Sequence, residues 1–141
     1  MKILCVMLFA GLFAVFAIWG LPSRAAGDAG NGQDLFRLCN ACHEIGPDAR
    51  NRVGPILNNI VGRRAATRSG YSYSAGMREA GSEGFVWTVE NLDGYIENPR
   101  AFLRGTKMAF SGMADAEQRQ DLIAYLKTLK FDDAPNSRTF R

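Results

Sequence analysis

Cysteine and histidine are scarce in this sequence, and that scarcity limits the metal and redox sites it can build. The 141 residues include three cysteines and one histidine. Cys5 lies in an apolar N-terminal segment, where we expect an ordinary buried apolar residue, so two cysteines and the histidine remain for the rest of the chain. A structural zinc site requires four nitrogen or sulfur ligands. The sequence therefore excludes such a site.

A strong excess of charge of either sign is also missing. Lysine and arginine number 17, aspartate and glutamate 14, and the formal net charge is +3. Lys2 and Arg24 flank the apolar segment, and without them the counts are 15 and 14. A nucleic-acid-binding protein needs a concentrated basic face. We therefore expect no nucleic acid among the partners of this chain.

The N-terminal residues 3–21 form one apolar run that is broken at Pro22. This arrangement is typical of an export signal. Ser23 and Ala25 are small residues at the spacing of a processing site, which predicts a signal peptide over residues 1–25 and cleavage before Ala26. About 20 apolar residues also suffice to span a bilayer, so retention as a membrane anchor stays open. In both cases we expect the domain outside the cytoplasmic membrane, in the periplasm.

The two remaining cysteines and the histidine lie together in the pentapeptide Cys39-Asn40-Ala41-Cys42-His43. This is the Cys-x-x-Cys-His pattern of covalent haem attachment. Two thiols three residues apart on one helical turn can form thioethers to the vinyl groups of a haem, and the adjacent imidazole then faces the iron. The export signal independently indicates the compartment where bacteria attach haem in this way. The sequence thus predicts a c-type haem site.

Two other uses of a Cys-x-x-Cys pair fit this segment less well. A thioredoxin-like redox pair needs a strand and a helix around it, whereas residues 34–38 are typical of the end of an amphipathic helix. A disulfide between Cys39 and Cys42 would close a very small loop and stabilise the fold little. A dithiol oxidant and a structural disulfide are therefore minor alternatives to haem.

The single histidine also restricts the sixth ligand of a haem iron. If His43 binds one side, the other side is left to methionine, lysine, water or no ligand. Three methionines follow the apolar segment, namely Met77, Met108 and Met113. Met108 lies between two predicted helices, where a loop can return across the haem face, and Met77 and Met113 are expected to pack in the core. Spacing alone makes Met108 the favoured candidate and no more.

Hydrophobic periodicity and capping residues predict an all-α domain with three main helices, at residues 28–38, 88–98 and 115–130. In the first helix, Gly30 and Gly32 permit close packing against another element. Pro99 is expected to end the second.

Loop dominates the stretch between the first and second predicted helices. Residues 44–87 are rich in Gly, Ser, Asn and Arg and carry only a short helical stretch at residues 73–80. So much loop in one small domain needs an explanation. A large apolar cofactor provides it, because the loops can then wrap around the haem as their core.

From about residue 32 to residue 130 the sequence resembles a class I cytochrome c, and most closely the mitochondrial cytochrome c and bacterial cytochrome c2 group. The resemblance implies the class I fold, with three main helices plus short helices and loops wrapped round one covalently bound haem c. The matching segments, in the order of the family, are CNACH (39–43), VGPIL (53–57), VGRR (61–64), GYSYS (70–74), Trp87, YIENP (95–99), GTKM (105–108) and DLIAYLK (121–127).

The resemblance also implies roles for individual side chains. His43 and Met108 match the axial ligands of the iron, and Cys39 and Cys42 match the haem thioethers. Pro55 lies where a backbone carbonyl accepts a hydrogen bond from the histidine ring. Further positions match residues around the propionates and the methionine sulfur: Arg63, Tyr73, Trp87, Tyr95 and Thr106. Phe36, Leu122 and Tyr125 match the packing contact between the terminal helices.

Three departures from the family pattern affect the predicted site. About three residues are inserted between Tyr73 and Trp87, and Met77 lies where the family has an asparagine. Arg104 replaces a proline before the GTKM segment, which makes the loop of Met108 less rigid. The lysine-rich rim of the family is thinned. A basic patch can still form from Arg37, Arg52, Arg100, Arg104 and Lys107.

The resemblance implies a monomeric one-electron carrier and not an enzyme. A cytochrome bc1 complex is the expected donor, and a terminal oxidase, a photosynthetic reaction centre or a periplasmic reductase is the expected acceptor. Two alternatives stay open: ligand binding or peroxide chemistry at a labile sixth site, and a carrier tethered by a retained leader. The domain is expected to cover residues 26–130, followed by an extension at residues 131–141.

Overall fold

The first helix, α1 (Ala29–Leu35), begins where the Asp28 carboxylate accepts hydrogen bonds from the backbone N–H groups of Gly30 and Asn31. A 3-10 turn, Phe36–Leu38, continues α1 as far as the haem motif. The computed structural model describes residues 27–131. The predicted signal peptide and almost all of the predicted extension lie outside the described residues.

Within the described residues four more helices follow, each with a side-chain cap at its N-terminus. Thr88 and Asp115 accept hydrogen bonds from the first turns of the second and third predicted helices. The three predicted main helices are confirmed, although the last ends at Thr128 and not at residue 130. The bounds are α2 (Ala75–Ser82), α3 (Val89–Glu97), α4 (Pro99–Phe102) and α5 (Ala116–Thr128).

The short helix α4 is absent from the sequence prediction, which has Pro99 only as a helix end. Pro99 does stop α3, but it also occupies the first turn of α4, where its missing N–H group costs nothing. The Asn98 side chain accepts a hydrogen bond from Ala101 N at 3.1 Å and caps this turn. Within residues 27–131 the one β-type pairing is an isolated bridge between Arg64 and Val86.

The terminal helices α1 and α5 pack directly against each other. Gly32 is buried at the contact, and a Cβ there would lie 2.6 Å from the Asp121 carbonyl carbon and 2.8 Å from Tyr125 Cβ. The rings of Phe36 and Tyr125 meet edge to face with centroids 5.6 Å apart. The predicted contact between the terminal helices is confirmed, and it closes one side of the core.

Two asparagines hold the long loop that precedes α2. Asn58 is buried and exchanges two hydrogen bonds with the backbone of Gly46, at 2.9 and 2.7 Å. Asn59 exchanges two with the backbone of Phe131, at 2.6 and 3.0 Å. Phe131 also packs against the core.

No helix among residues 27–131 is long and apolar enough to cross a membrane.

Candidate functional site

The haem motif forms a tight turn directly after the 3-10 helix. Cys39 N donates to Phe36 O at 2.8 Å, and Cys42 N and His43 N both donate to Cys39 O, at 3.0 and 2.9 Å. Both cysteines are free thiols and half-buried. The turn therefore presents two thiols and one imidazole to the same cavity.

The Cys39 thiol lacks the acidity of a reactive dithiol. Burial, with a smaller contribution from neighbouring Cys42, raises the pKa of the Cys39 thiol to about 11. Thiols of disulfide oxidants have a lowered pKa, because the thiolate is the reactive form. The environment of Cys39 therefore disfavours the dithiol alternative.

The imidazole of His43 is fixed in one tautomer. Its Nδ1 lies 2.6 Å from Pro55 O, and since a carbonyl only accepts, Nδ1 must carry the proton. Burial lowers the pKa of His43, the bond to Pro55 opposes this, and the charge of Arg63 lowers the pKa further. The ring is therefore neutral near pH 7, and its Nε2 lone pair is available for a metal.

Gly54 makes room for this ring. A Cβ at position 54 would lie 2.6 Å from both ring nitrogens of His43, which is too close for any side chain. Gly54 N donates to Cys42 O at 2.9 Å, so the glycine is tied to the haem motif. The segment around Gly54 and Pro55 thus forms the wall behind the imidazole.

Another wall of the cavity carries the thioether of Met108. Tyr95 Oη and Thr106 Oγ1 are 2.6 Å apart, and Met108 N donates to Thr106 Oγ1 at 3.3 Å. Tyr95 is buried, and this burial raises the pKa of its hydroxyl. The tyrosine and threonine therefore hold the backbone of the Met108 loop from inside the cavity.

A cation and two aromatic rings complete the lining. Arg63 donates to Asn58 O at 2.7 Å and to Ile56 O at 3.1 Å, which fixes its guanidinium. Trp87 N donates to Arg63 O at 2.9 Å, and Tyr73 Oη accepts from the backbone of Arg68 at 3.2 Å. A fixed cation beside an apolar cavity can neutralise acidic groups of a bound cofactor.

All nine predicted site residues line one cavity of about 370 Å³, whose walls are mainly apolar. That volume lies in the range of small-molecule and cofactor sites. The structure places Cys39, Cys42, His43, Arg63, Tyr73, Trp87, Tyr95, Thr106 and Met108 around it. The donor set of two thiols, an imidazole and a thioether fits a covalently attached haem.

Further residues that sequence reasoning did not assign to the site also line this cavity, and Tyr71 and Met77 are two of them. Tyr71 is half-buried there, and the only signal for it was its place in the GYSYS segment. Met77 is buried as expected for a core residue, yet it also faces the cavity. Met113 is buried and does not line it.

Comparisons with known proteins identify the family of this chain. Residues 29–130 match the cytochrome c family. The chain is 42% identical over 111 residues to cytochrome c2 of Rhodomicrobium vannielii, covering 79% of this chain and 86% of that protein. It is 42% identical over 122 residues to cytochrome c2 of Blastochloris viridis, covering 86% and 92%.

Solved structures show the same fold. Cytochrome c2 from Rhodospirillum centenum superposes with a TM-score of 0.71 at 41% identity, covering 74% of this chain and 99% of that one. Cytochrome cH from Methylobacterium extorquens gives a TM-score of 0.66 at 37% identity, covering 72% and 99%. The chain belongs to the cytochrome c family, in its class I cytochrome c2 group, and is a monohaem electron carrier with one covalently bound haem c.

Proposed function

We propose that His43 and Met108 are the axial ligands of the haem iron, and that Cys39 and Cys42 carry the thioethers. The single observation that carries this assignment is that all four side chains line one cavity. The Nδ1 bond to Pro55 supports it by leaving Nε2 of His43 to face the metal. When bound, the haem iron takes up and releases one electron.

The surrounding side chains position the ligands and the charges of the site. Arg63, together with Tyr73 and Trp87, neutralises or orients the propionates, because its guanidinium is fixed at the cavity wall. Tyr95 and Thr106 hold the Met108 loop through their mutual hydrogen bond and the bond to Met108 N. The burial of Trp87 and Tyr95 and the partial burial of the other groups limit the rearrangement of solvent that accompanies a change of charge.

With both axial positions taken by protein side chains, no substrate binds the metal, and the protein acts as a carrier and not as an enzyme. The acceptor is a terminal oxidase, a photosynthetic reaction centre or a periplasmic reductase, and the donor is a cytochrome bc1 complex. Each partner docks briefly through a small interface. The cytochrome c2 relatives and the predicted export signal support a location in the periplasm.

The test is the absorption spectrum of the oxidised, haem-loaded protein, since a methionine sulfur bound to ferric haem gives a weak far-red band. We expect the band in the wild type and in Met77→Leu, and its loss in Met108→Ala. Met77→Leu is the matched control, because Met77 is the other methionine that lines the cavity.

Other results would contradict the assignment in distinct ways. Loss of the band in Met77→Leu with retention in Met108→Ala would assign the iron ligand to Met77 and not to Met108. A wild-type spectrum without the band and with high-spin iron would favour the labile sixth site and its ligand or peroxide chemistry.

A further inference from the structure

Two residues other than glycine have a positive φ in the part of the chain that the structure describes. They are Asn59, with φ of 53°, and Ala66, with φ of 59°. This left-handed conformation strains any residue with a Cβ atom, although asparagine tolerates it because its short polar side chain can form hydrogen bonds close by. The two residues lie on either side of the segment that carries Arg63.

At Asn59 the hydrogen bonds of the side chain offset the strain. Its Oδ1 accepts from Phe131 N at 3.0 Å, and its Nδ2 donates to Phe131 O at 2.6 Å. The side chain of Ala66 has neither a donor nor an acceptor, so it gains no such bonds. Strained residues of this kind cluster at functional sites. The conformation of Ala66 therefore points to a role of its methyl group.

The neighbours of Ala66 fix the turn on both sides. Directly before it, Ala65 N donates to Phe85 O at 2.9 Å. Directly after it, Thr67 Oγ1 donates to Arg64 O at 2.7 Å. A strained conformation persists only where the surrounding structure enforces it in this way.

The methyl group of Ala66 belongs to the wall of the haem cavity. Ala66 is half-buried, packs against the core and lines the cavity, three residues after Arg63. The adjoining helix α2 has a glycine at this point, and a Cβ at Gly81 would lie 3.1 Å from Ala66 Cβ and 2.5 Å from Ala65 O. Gly81 therefore leaves room for the methyl group, although glycine weakens a helix.

We propose that Ala66 is a positioning residue whose methyl group keeps water out of the cavity beside Arg63 and thereby raises the reduction potential of the haem. The proposal rests on the proposed function, in which Arg63 faces the propionates. Water stabilises the ferric state, with its additional positive charge, better than a methyl group does, so excluding water favours Fe(II). Glycine at position 66 would relieve the strain, but it would leave this part of the wall open.

The substitution Ala66→Gly tests this role, because stability and potential should respond differently to it. The midpoint of chemical denaturation of the haem-loaded protein should equal or exceed the wild-type value, since relief of strain offsets the lost contacts. At a fixed applied potential the ratio of Fe(II) to Fe(III) should fall about 2-fold, a fall of about 18 mV in reduction potential at 59 mV per tenfold change. Spectroelectrochemical titration measures the potential.

The matched control is the same substitution one residue earlier, Ala65→Gly. Ala65 is 2% exposed, has no positive φ and does not line the cavity. Its replacement removes a buried methyl group without relieving any strain, so the denaturation midpoint should fall. The reduction potential should stay at the wild-type value. The two neighbouring substitutions therefore have opposite expected patterns.

A third variant, Arg63→Gln, separates failure of this proposal from failure of the proposed function. Loss of the cation beside the propionates should lower the potential by more than Ala66→Gly does. An unchanged potential in Arg63→Gln would contradict the place of Arg63 at the propionates.

The remaining outcomes bear on Ala66 alone. A lowered potential in Arg63→Gln together with a wild-type potential in Ala66→Gly would overturn its role, and so would equal falls of the potential in Ala66→Gly and Ala65→Gly. A fall in the denaturation midpoint of Ala66→Gly as large as that of Ala65→Gly would contradict the relief of strain on which the proposal depends.

Discussion

At the scale of single residues, the site depends on a missing side chain as much as on those present. The imidazole of His43 lies in the space that a Cβ at Gly54 would fill. Its Nδ1 bond to Pro55 fixes the ring in that place. A ring moved from this position would lose the bond and turn Nε2 away from the centre of the cavity.

Gly54→Ala tests this arrangement. We expect the free energy of unfolding of the haem-loaded protein to fall by about 2 kcal/mol, the usual cost of overpacking a core. The yield of covalently attached haem should fall as well. Chemical denaturation and in-gel haem staining measure the two effects.

The neighbouring substitution Val53→Ala is the control, since the Val53 side chain is 75% exposed. It should change stability by less than about 0.5 kcal/mol. Equal stabilities for Gly54→Ala and Val53→Ala would show that the ring has room to move.

Single contacts differ in how far sequence could predict them. The bond from His43 to Pro55 followed from a resemblance in which both residues lie in short matching segments. The contact of Lys107 with Ser72 joins residues 35 positions apart through one flexible side chain, and no local pattern marks it. Sequence placed Lys107 in a basic patch on the surface, whereas the structure turns its ammonium to a backbone carbonyl.

At the scale of helices, the contact between α1 and α5 distinguishes two glycines that look alike in sequence. Both Gly30 and Gly32 were predicted to permit close packing. Only Gly32 faces α5, because the single atom that a Cβ at Gly30 would meet is a carboxylate oxygen of Asp28, at 3.0 Å. The spacing of the two glycines along one turn is compatible with either facing another helix. The rotation of α1 about its axis places only Gly32 against α5.

Gly32→Ala should therefore destabilise the protein far more than Gly30→Ala. We expect a loss of at least about 2 kcal/mol for Gly32→Ala, because its Cβ would press on the backbone of Asp121. Gly30→Ala should lie within about 0.5 kcal/mol of the wild type. Thermal and denaturant unfolding of the two variants give the comparison, and equal losses would contradict it.

A buried arginine connects α5 to α3 and to the end of the Met108 loop. Arg119 Nε lies 2.9 Å from Asp93 Oδ1, and Arg119 NH1 donates to Met113 O at 2.9 Å and to Ala114 O at 2.8 Å. The hydrogen bond with Asp93 raises the pKa of the guanidinium, so its charge is permanent. This one side chain thus joins two helices and a loop.

Arg119→Ala should lower the free energy of unfolding by about 3 kcal/mol, since it leaves Asp93 and two carbonyls without this partner. The stability of Arg119→Lys should lie between those of the wild type and Arg119→Ala, because lysine keeps the charge and lacks the planar guanidinium. Arg100 on α4 is exposed, and Arg100→Ala is the control, expected within about 0.5 kcal/mol. A loss below about 1 kcal/mol for Arg119→Ala would contradict this role.

Most helices could be predicted because caps and periodicity are local. The short helix α4 was missed because a proline can mark the end of one helix or the first turn of the next. Whether a new helix forms after Pro99 depends on how the following residues pack on α3. Phe102 shows this, because its ring fills the space beside Gly94. The loops of residues 44–74 carry no periodic signal, and buried side chains such as Asn58 set their path.

At the scale of the whole molecule, the positive and negative charges nearly balance, at 15 and 14 without Lys2 and Arg24. Arg37 Nε donates to Asp34 O at 2.8 Å, Arg52 lies 3.7 Å from Glu44, and Lys107 bonds Ser72. Leu38, at the cavity rim, is 57% exposed. Arg37 and Lys107 keep their charge, because a backbone carbonyl does not neutralise a cation, but the near balance of charge gives the molecule little overall attraction for an acidic partner.

The rate of oxidation by ferricyanide should accordingly depend weakly on salt. Between about 10 and about 200 mM ionic strength we expect a fall of less than about 3-fold, because the net charge of the molecule is small. Leu38→Lys adds a free cation at the rim and should raise the low-salt rate and steepen the dependence. Stopped-flow mixing measures both, and a steep wild-type dependence would contradict the predicted weak steering.

The contact between α1 and α5 also bears on the order in which the parts of the haem site come together. The attachment cysteines lie near the start of the domain, whereas Leu122 and Leu126, which close the cavity, lie on its last helix. With the predicted export from the N-terminus, the thiols reach the periplasm before the wall that covers them. The haem can be joined to an open half-site, and completion of the final helix then encloses it.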